Sequence, residues 1–164
     1  MRGDEFERFL GPSLEEYSQY VARNHGISVD AARARSEAST SEMLPDGLHT
    51  RGHRFFVAED DDGDHVGELW LGSRQLGGTD VVWVYDVRVD EERRGRGLGR
   101  LIMESAEDLA REMGGDRLGL NVFGDNRRAR RLYESLGYTE ISRQMRMDLA
   151  TSPVDRTAEA GASW

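Results

Sequence analysis

An apolar segment, a short stretch of arginine and glycine, and an amphipathic segment follow one another in the middle of the chain. Residues 81–89 read VVWVYDVRV, apolar on both faces at the start, which predicts a strand inside a sheet. Residues 93–100 read RRGRGLGR. Beyond them apolar residues recur at helical spacing as far as Met113, and Gly114 and Gly115 predict the end of that helix. A buried strand that passes through glycines into a helix indicates an α/β fold.

The rest of the chain predicts further helices and strands around this unit. A capping box at residues 13–16 and a glycine at position 26 delimit a helix over residues 13–25, and a second helix runs from Ser28 to Leu44, before Pro45. The remaining segments are strands at 55–58, 65–71, 118–123 and 142–149, and a helix near 129–136.

Both ends of the chain lack a strand pattern. Half of residues 1–10 are charged, so we expect a strand before the first helix to be short or missing. Residues 150–164 are small, polar and without period, which predicts a flexible tail. The expected organisation is a single domain over residues 1–149 with this tail.

Composition excludes several classes of function. A net charge of −9 argues against broad affinity for nucleic acid, which depends on neutralising phosphates. The chain has no cysteine, and its four histidines show no ligand spacing, so we expect no metal. Its apolar runs are far shorter than a membrane span, and its first ten residues do not resemble a signal peptide. These features predict a cytoplasmic protein without a nucleic-acid or membrane partner.

The glycines of residues 93–100 indicate a phosphate site. Glycines at a helix N-terminus let an anion approach unpaired N–H groups, and the helix dipole favours negative charge there. An RGG-type tract does not fit, because such tracts lie in disordered chain. A dinucleotide turn fits poorly: it needs G-x-G-x-x-G, whereas position 100 is arginine. The acidic run at residues 59–64 lacks the spacing of a calcium loop and predicts a solvated hairpin tip.

Two motifs in the second half of the chain carry a family resemblance. Residues 94–99 fit R/Q-x-x-G-x-G/A, and Val87-x-Val89 precedes them. Further on, Asn126-x-x-Ala129-x-x-x-Tyr133-x-x-x-Gly137-Tyr138 fits N-x-x-A-x-x-x-Y-x-x-x-G-F/Y. With both motifs in order, residues 54–149 resemble the GNAT superfamily of acetyl-CoA-dependent N-acetyltransferases.

The resemblance implies a fold and a cofactor site. The fold is a layered α/β one, in which helices flank a mixed, mostly antiparallel sheet of about six strands. The central strand splays from residues 118–123, so that the pantetheine arm of acetyl-CoA enters between them. Val87 and Val89 would pair with this arm, and Asn126 would bond to it. The pyrophosphate would be held by the backbone N–H groups of seven consecutive residues, namely Arg94, Gly95, Arg96, Gly97, Leu98, Gly99 and Arg100. The side chains of Arg93, Arg96 and Arg100 either assist or are simply solvated.

The resemblance also implies an activity, the transfer of an acetyl group to a primary amine of a small molecule or peptide. Tyr133 would protonate the sulfur as general acid, although it lies on an apolar stripe and a core role is the alternative. Asp86 is the first candidate for general base, or else an ion-pair partner of Arg88. Glu68, on the neighbouring strand, is the second candidate. A sensor that binds acyl-CoA without catalysis is the competing function, and the sequence leaves open whether the chain forms a homodimer.

Overall fold

The computed structural model describes residues 1–147 and residue 149. Four α-helices and four strands make up this described part, with short 3₁₀ turns at Gly47–His49 and Glu91–Arg93. In chain order they are α1 (Gly3–His25), α2 (Val29–Met43), β1 (His53–Glu59), β2 (His65–Leu76), β3 (Thr79–Val89), α3 (Leu98–Glu112), β4 (Leu118–Leu120) and α4 (Arg127–Ser135). The predicted tail at 150–164 lies outside the described residues.

The four strands form one mixed sheet in the order β1-β2-β3-β4. The first three are antiparallel neighbours, and β4 runs parallel to β3. This confirms the predicted α/β class and the mostly antiparallel sheet, with four strands in the described residues where about six were expected. The strand predicted over residues 142–149 does not form at 142–147. Met145 and Met147 are largely exposed there, so the alternating pattern has no sheet edge to cover.

The first helix begins ten residues earlier than predicted. The capping box at residues 13–16 is wrong as a start signal, because α1 already begins at Gly3 and continues through Pro12. Phe6 and Phe9 are buried against the ring of Phe55, and this tertiary packing outweighs the unfavourable proline. A helix thus occupies the segment in which a first strand was expected to be short or missing. The second helix, capped by Ser28, agrees with the prediction.

A β-bulge in β3 decides which side chains face which layer. Trp70 of β2 lies opposite Asp86, but the next residue of β2 lies opposite Val84, so Tyr85 is an extra residue. The bulge shifts the alternation. As a result Val82 and Val84 before it, and Val87 and Val89 after it, all contact the same core cluster.

Two core clusters lie on opposite faces of the sheet. Residues of β2, β3 and α3 form the first, with Leu71, Met103 and Ala106 fully buried. Phe6, Phe9, Phe55, Trp70 and Leu44 form the second, beneath α1. Within the described residues, every helix is too short or too polar to cross a membrane.

Candidate active site

The loop between β3 and α3 has the backbone shape that its glycines predict. Gly95 and Gly97 both have φ of +84°, a left-handed conformation that other residues rarely adopt. A Cβ atom built on either would meet open space. Gly99 differs, because a Cβ there would lie 3.5 Å from Leu132 and 3.8 Å from Val89. The first two glycines therefore shape the loop, whereas a side chain at the third would make only ordinary contacts with α4 and β3.

The loop presents a row of backbone donors. In the described part of the chain, the N–H groups of residues 95–99 donate to no protein acceptor. The N–H of Arg94 donates to Glu91 (3.3 Å) and that of Arg100 to Gly97 (2.9 Å). Free N–H groups at the N-terminus of a 15-residue helix are able to bind an anion. Of the predicted seven N–H donors, the five central ones are available to a ligand.

The arginine side chains of the loop have different partners. Arg93 donates to Asp60 and Asp64 in the β1–β2 turn, each at 3.0 Å. Arg94 donates to the carbonyl of Val89 at 3.0 Å, and Arg100 to the hydroxyl of Ser135 at 2.6 Å. These contacts fasten the loop to the hairpin, to β3 and to α4.

The strands β3 and β4 separate beside this loop. They pair only at Val82–Val84 with Leu118–Leu120, so the β4-side edge of β3 has no strand partner from Tyr85 to Val89 in the described part of the chain. The N–H of Asp90 donates to Val66 on the opposite edge, at 3.0 Å. Because successive residues of a strand point their N–H groups to alternate edges, those of Val87 and Val89 point into the gap. An extended ligand arm can therefore pair with this edge of β3.

Tyr133 and Asn126 lie on α4, close to this gap. Tyr133 packs against the cluster that contains Val87 and Val89. Burial raises the pKa of its hydroxyl, and the negative charge of Asp86 raises that pKa further. The hydroxyl therefore stays protonated at neutral pH and above. Asn126 is the N-cap of α4 and accepts from the N–H of Ala129 at 3.1 Å, so its side-chain NH₂ remains to donate.

Asp86 is held by partners on both sides. One carboxylate oxygen accepts from Arg88 at 3.4 Å and also from the hydroxyl of Ser13 on α1. The predicted pair with Arg88 thus forms, and the side chains are 22% and 20% exposed. Sequence reasoning missed this contact of Ser13, because the place of Ser13 in a capping box assigned it to a helix end.

Glu68 lies at one end of a short polar chain. One of its oxygens is 3.3 Å from Nε2 of His65, and Nδ1 of His65 is 2.9 Å from Asp90. The other carboxylate oxygen of Glu68 is buried and has no hydrogen-bond partner in the described part of the chain. These three side chains bring nitrogen and oxygen atoms within 4.8 Å of one another, a donor set that could hold a metal ion. No spacing in the sequence pointed to His65.

Comparison with known proteins gives the family. Residues 16–138 match the acetyltransferase (GNAT) family. The chain is 32% identical to the uncharacterized N-acetyltransferase YdgE of Bacillus subtilis over 91% of this chain and 95% of that protein. The crystal structure of B. subtilis YycN, also an uncharacterized N-acetyltransferase, has a TM-score of 0.83 and 28% identity over 92% of this chain and 96% of that one.

A third similarity concerns the fold alone. An aminoglycoside N-acetyltransferase, AAC(6')-Iy, solved in complex with CoA, has a TM-score of 0.53 and 19% identity over 70% of this chain and 86% of that one. The free N–H groups of the loop and the separation of β3 from β4 agree with the match of residues 16–138 to the acetyltransferase (GNAT) family. The chain therefore belongs to the GNAT family of acetyltransferases, enzymes that take their acetyl group from acetyl-CoA.

Proposed function

We propose that this protein transfers the acetyl group of acetyl-CoA to a primary amine of a small molecule or a peptide, by direct attack of the amine on the thioester. The observation that carries the proposal is the gap between β3 and β4. It has free N–H donors at its loop end and a partly buried, protonated Tyr133 beside it.

The cofactor is bound in two parts. The N–H groups of residues 95–99 bind the pyrophosphate, with the α3 dipole adding attraction for its charge. The pantetheine arm pairs with Val87 and Val89 in the gap and accepts a hydrogen bond from Asn126. This assignment rests on open space at Gly95 and Gly97, where any side chain would enter the volume of the phosphates.

Acetyl transfer then requires a stabilised oxyanion, a proton for the departing sulfur and a base for the proton of the amine. The amine nitrogen forms a bond to the carbonyl carbon, whose oxygen becomes negative and accepts from a backbone N–H of β3 that faces the gap. The carbon–sulfur bond breaks, and Tyr133 gives its proton to the sulfur. The proton leaving the amine goes to a base, directly or through water. Asp86 is the first candidate for this base, since its charge already acts on Tyr133.

Glu68 is the second candidate for the base. Its unpartnered oxygen is an acceptor that burial makes costly to leave unused. Replacing Asp86 by asparagine and Glu68 by glutamine separates the two. The variant that loses the base should lose the acid limb of the profile of kcat/KM against pH, while the other retains it.

The proposal is tested by thiol release. Purified protein is mixed with acetyl-CoA and a panel of amines at neutral pH, and free CoA thiol is followed with a chromogenic disulfide. We expect release that depends on an amine and saturates with acetyl-CoA. Binding of acetyl-CoA without release in the presence of any amine would instead favour the sensor function.

A further inference from the structure

We infer that a small pocket between α1 and the segment after β4 binds a second, positively charged group of the acceptor, so that the preferred acceptors are diamines and other amines with a distal cation. The inference rests on the proposed acetyl transfer and adds the class of acceptor. Its basis is a cavity of about 200 Å³ lined by Glu16, Tyr20, Arg23, Phe123, Asp125 and Asn126.

The pocket is aligned with the reactive end of the site. Ser13, Glu16, Tyr20 and Arg23 follow one another at helical spacing and form a single stripe along α1. Ser13, at one end of this stripe, contacts Asp86, and Tyr20 stacks on Phe123 with ring centroids 3.3 Å apart. Seven residues of helix separate Ser13 from Tyr20, a distance of about 10 Å. An acceptor whose amine is near Asp86 therefore reaches the pocket if it extends about 10 Å.

The chemistry of the pocket favours a cation. Glu16 and Asp125 give two negative charges and Arg23 one positive charge, and within the described residues none of the three forms an ion pair. The neighbouring Glu15, in contrast, pairs with Arg33 of α2. The stacked rings of Tyr20 and Phe123 also line the pocket and add apolar surface against which the methylene groups of an alkylamine can pack. The net charge of the side chains that line the pocket is therefore negative, and the distal end of the acceptor would lie beside them.

The size of the pocket indicates that it holds one functional group of the acceptor and not a complete ligand. Sites for drug-sized molecules enclose about 300–1,000 Å³. A cavity of about 200 Å³ is smaller, and it borders Asn126, at the start of the helix that carries Tyr133. It suits an ammonium or guanidinium group at the end of a chain whose other end lies in the gap between β3 and β4.

The test compares α,ω-diaminoalkanes with n-alkylamines of matched length as acceptors. We expect kcat/KM to be roughly tenfold or more higher for diamines whose ends are about 10 Å apart, because a hydrogen bond to a charged group gives a preference of that size. Glu16→Gln and Asp125→Asn should each reduce the ratio of diamine to monoamine severalfold. Glu7→Gln is the matched control, since Glu7 lies nine residues before Glu16 and on the opposite face of α1.

Three results would overturn the inference. Equal kcat/KM for matched diamines and monoamines would show that the pocket does not contribute to selection. A preference for amines with a distal carboxylate, lost in Arg23→Gln, would show that an anion binds there. A raised KM for acetyl-CoA in Glu16→Gln would assign the pocket to the cofactor. In each case the protein still acetylates amines, whereas failure with every amine would refute the proposed function itself.

Discussion

The hydroxyl of Tyr133 is the residue-scale detail on which the chemistry depends. Burial and the charge of Asp86 both raise its pKa above the ordinary value of 10.0, so the proton is present at neutral and mildly alkaline pH. A second tyrosine, Tyr138, lies beside it with ring centroids 5.7 Å apart. The Tyr138 hydroxyl is buried and has no partner in the described part of the chain, which makes it a natural control.

Replacing Tyr133 by phenylalanine should lower kcat about 10²-fold, because the ring and its packing remain while the proton donor is lost. The dissociation constant for acetyl-CoA should stay the same, since binding depends on the loop and on β3. Steady-state kinetics and titration calorimetry measure the two quantities. Tyr138→Phe should leave both near the wild-type values. A normal kcat in Tyr133→Phe would assign that tyrosine to the core.

Gly97→Glu should abolish the stabilisation of the protein by acetyl-CoA. The substitution puts a side chain and a negative charge into the open space beside the loop N–H groups. For the wild type, ligand at a hundredfold excess over Kd adds about 2.7 kcal/mol to the free energy of unfolding, seen as a rise in Tm. Gly78→Glu is the control, because Gly78 has φ of +81° and equally open surroundings but lies in the β2–β3 turn. An undiminished shift in Gly97→Glu would contradict the loop assignment.

At the scale of secondary structure, the site is assembled by contacts between elements that are far apart in the chain. The glycine loop and the buried strand before it were predictable, since φ near +84° and an all-apolar run are local properties. The contact of Ser13 with Asp86 spans 73 positions, and no local pattern encodes it. The early start of α1 likewise depends on Phe9 meeting Phe55 and Trp70, a tertiary contact.

Phe9→Ala tests whether the first turns of α1 belong to the folded core. Phe9 is 1% exposed, and removing a buried phenylalanine costs about 3–5 kcal/mol of unfolding free energy. Urea denaturation followed by circular dichroism measures the change. Tyr17→Ala, at a position 51% exposed on the same helix, should cost much less. Equal and small effects would mean that residues before Pro12 add nothing to stability.

At the scale of the whole molecule, the stability of the fold depends on pH through the half-buried side chain of His53. His53 accepts a hydrogen bond from the indole N–H of Trp70 at 3.0 Å, and burial lowers its pKa from 6.5. The unfolded chain therefore binds a proton at a higher pH than the folded one. The contribution of His53 to stability is therefore fully present above about pH 6.5 and is lost as the pH drops through and below that value.

His53→Asn should make this loss smaller, because the amide oxygen of asparagine accepts from Trp70 and does not titrate in this range. Comparing Tm at pH 5.5 and 7.5 in both proteins isolates the contribution of His53 from those of the other histidines. The Tm of the wild type should fall further between pH 7.5 and pH 5.5 than the Tm of the variant. An identical loss in both would exclude His53 as a source of the pH dependence.

The central claim is that the gap between β3 and β4 carries acetyl transfer to an amine, and the most direct test is product stoichiometry. Mass spectrometry of the amine and a thiol assay are applied to the same reaction with acetyl-CoA. We expect one acetylated amine for each CoA thiol released, with both falling together in Tyr133→Phe. Thiol release without acetylated amine, or firm binding of acetyl-CoA with neither product, would contradict the claim.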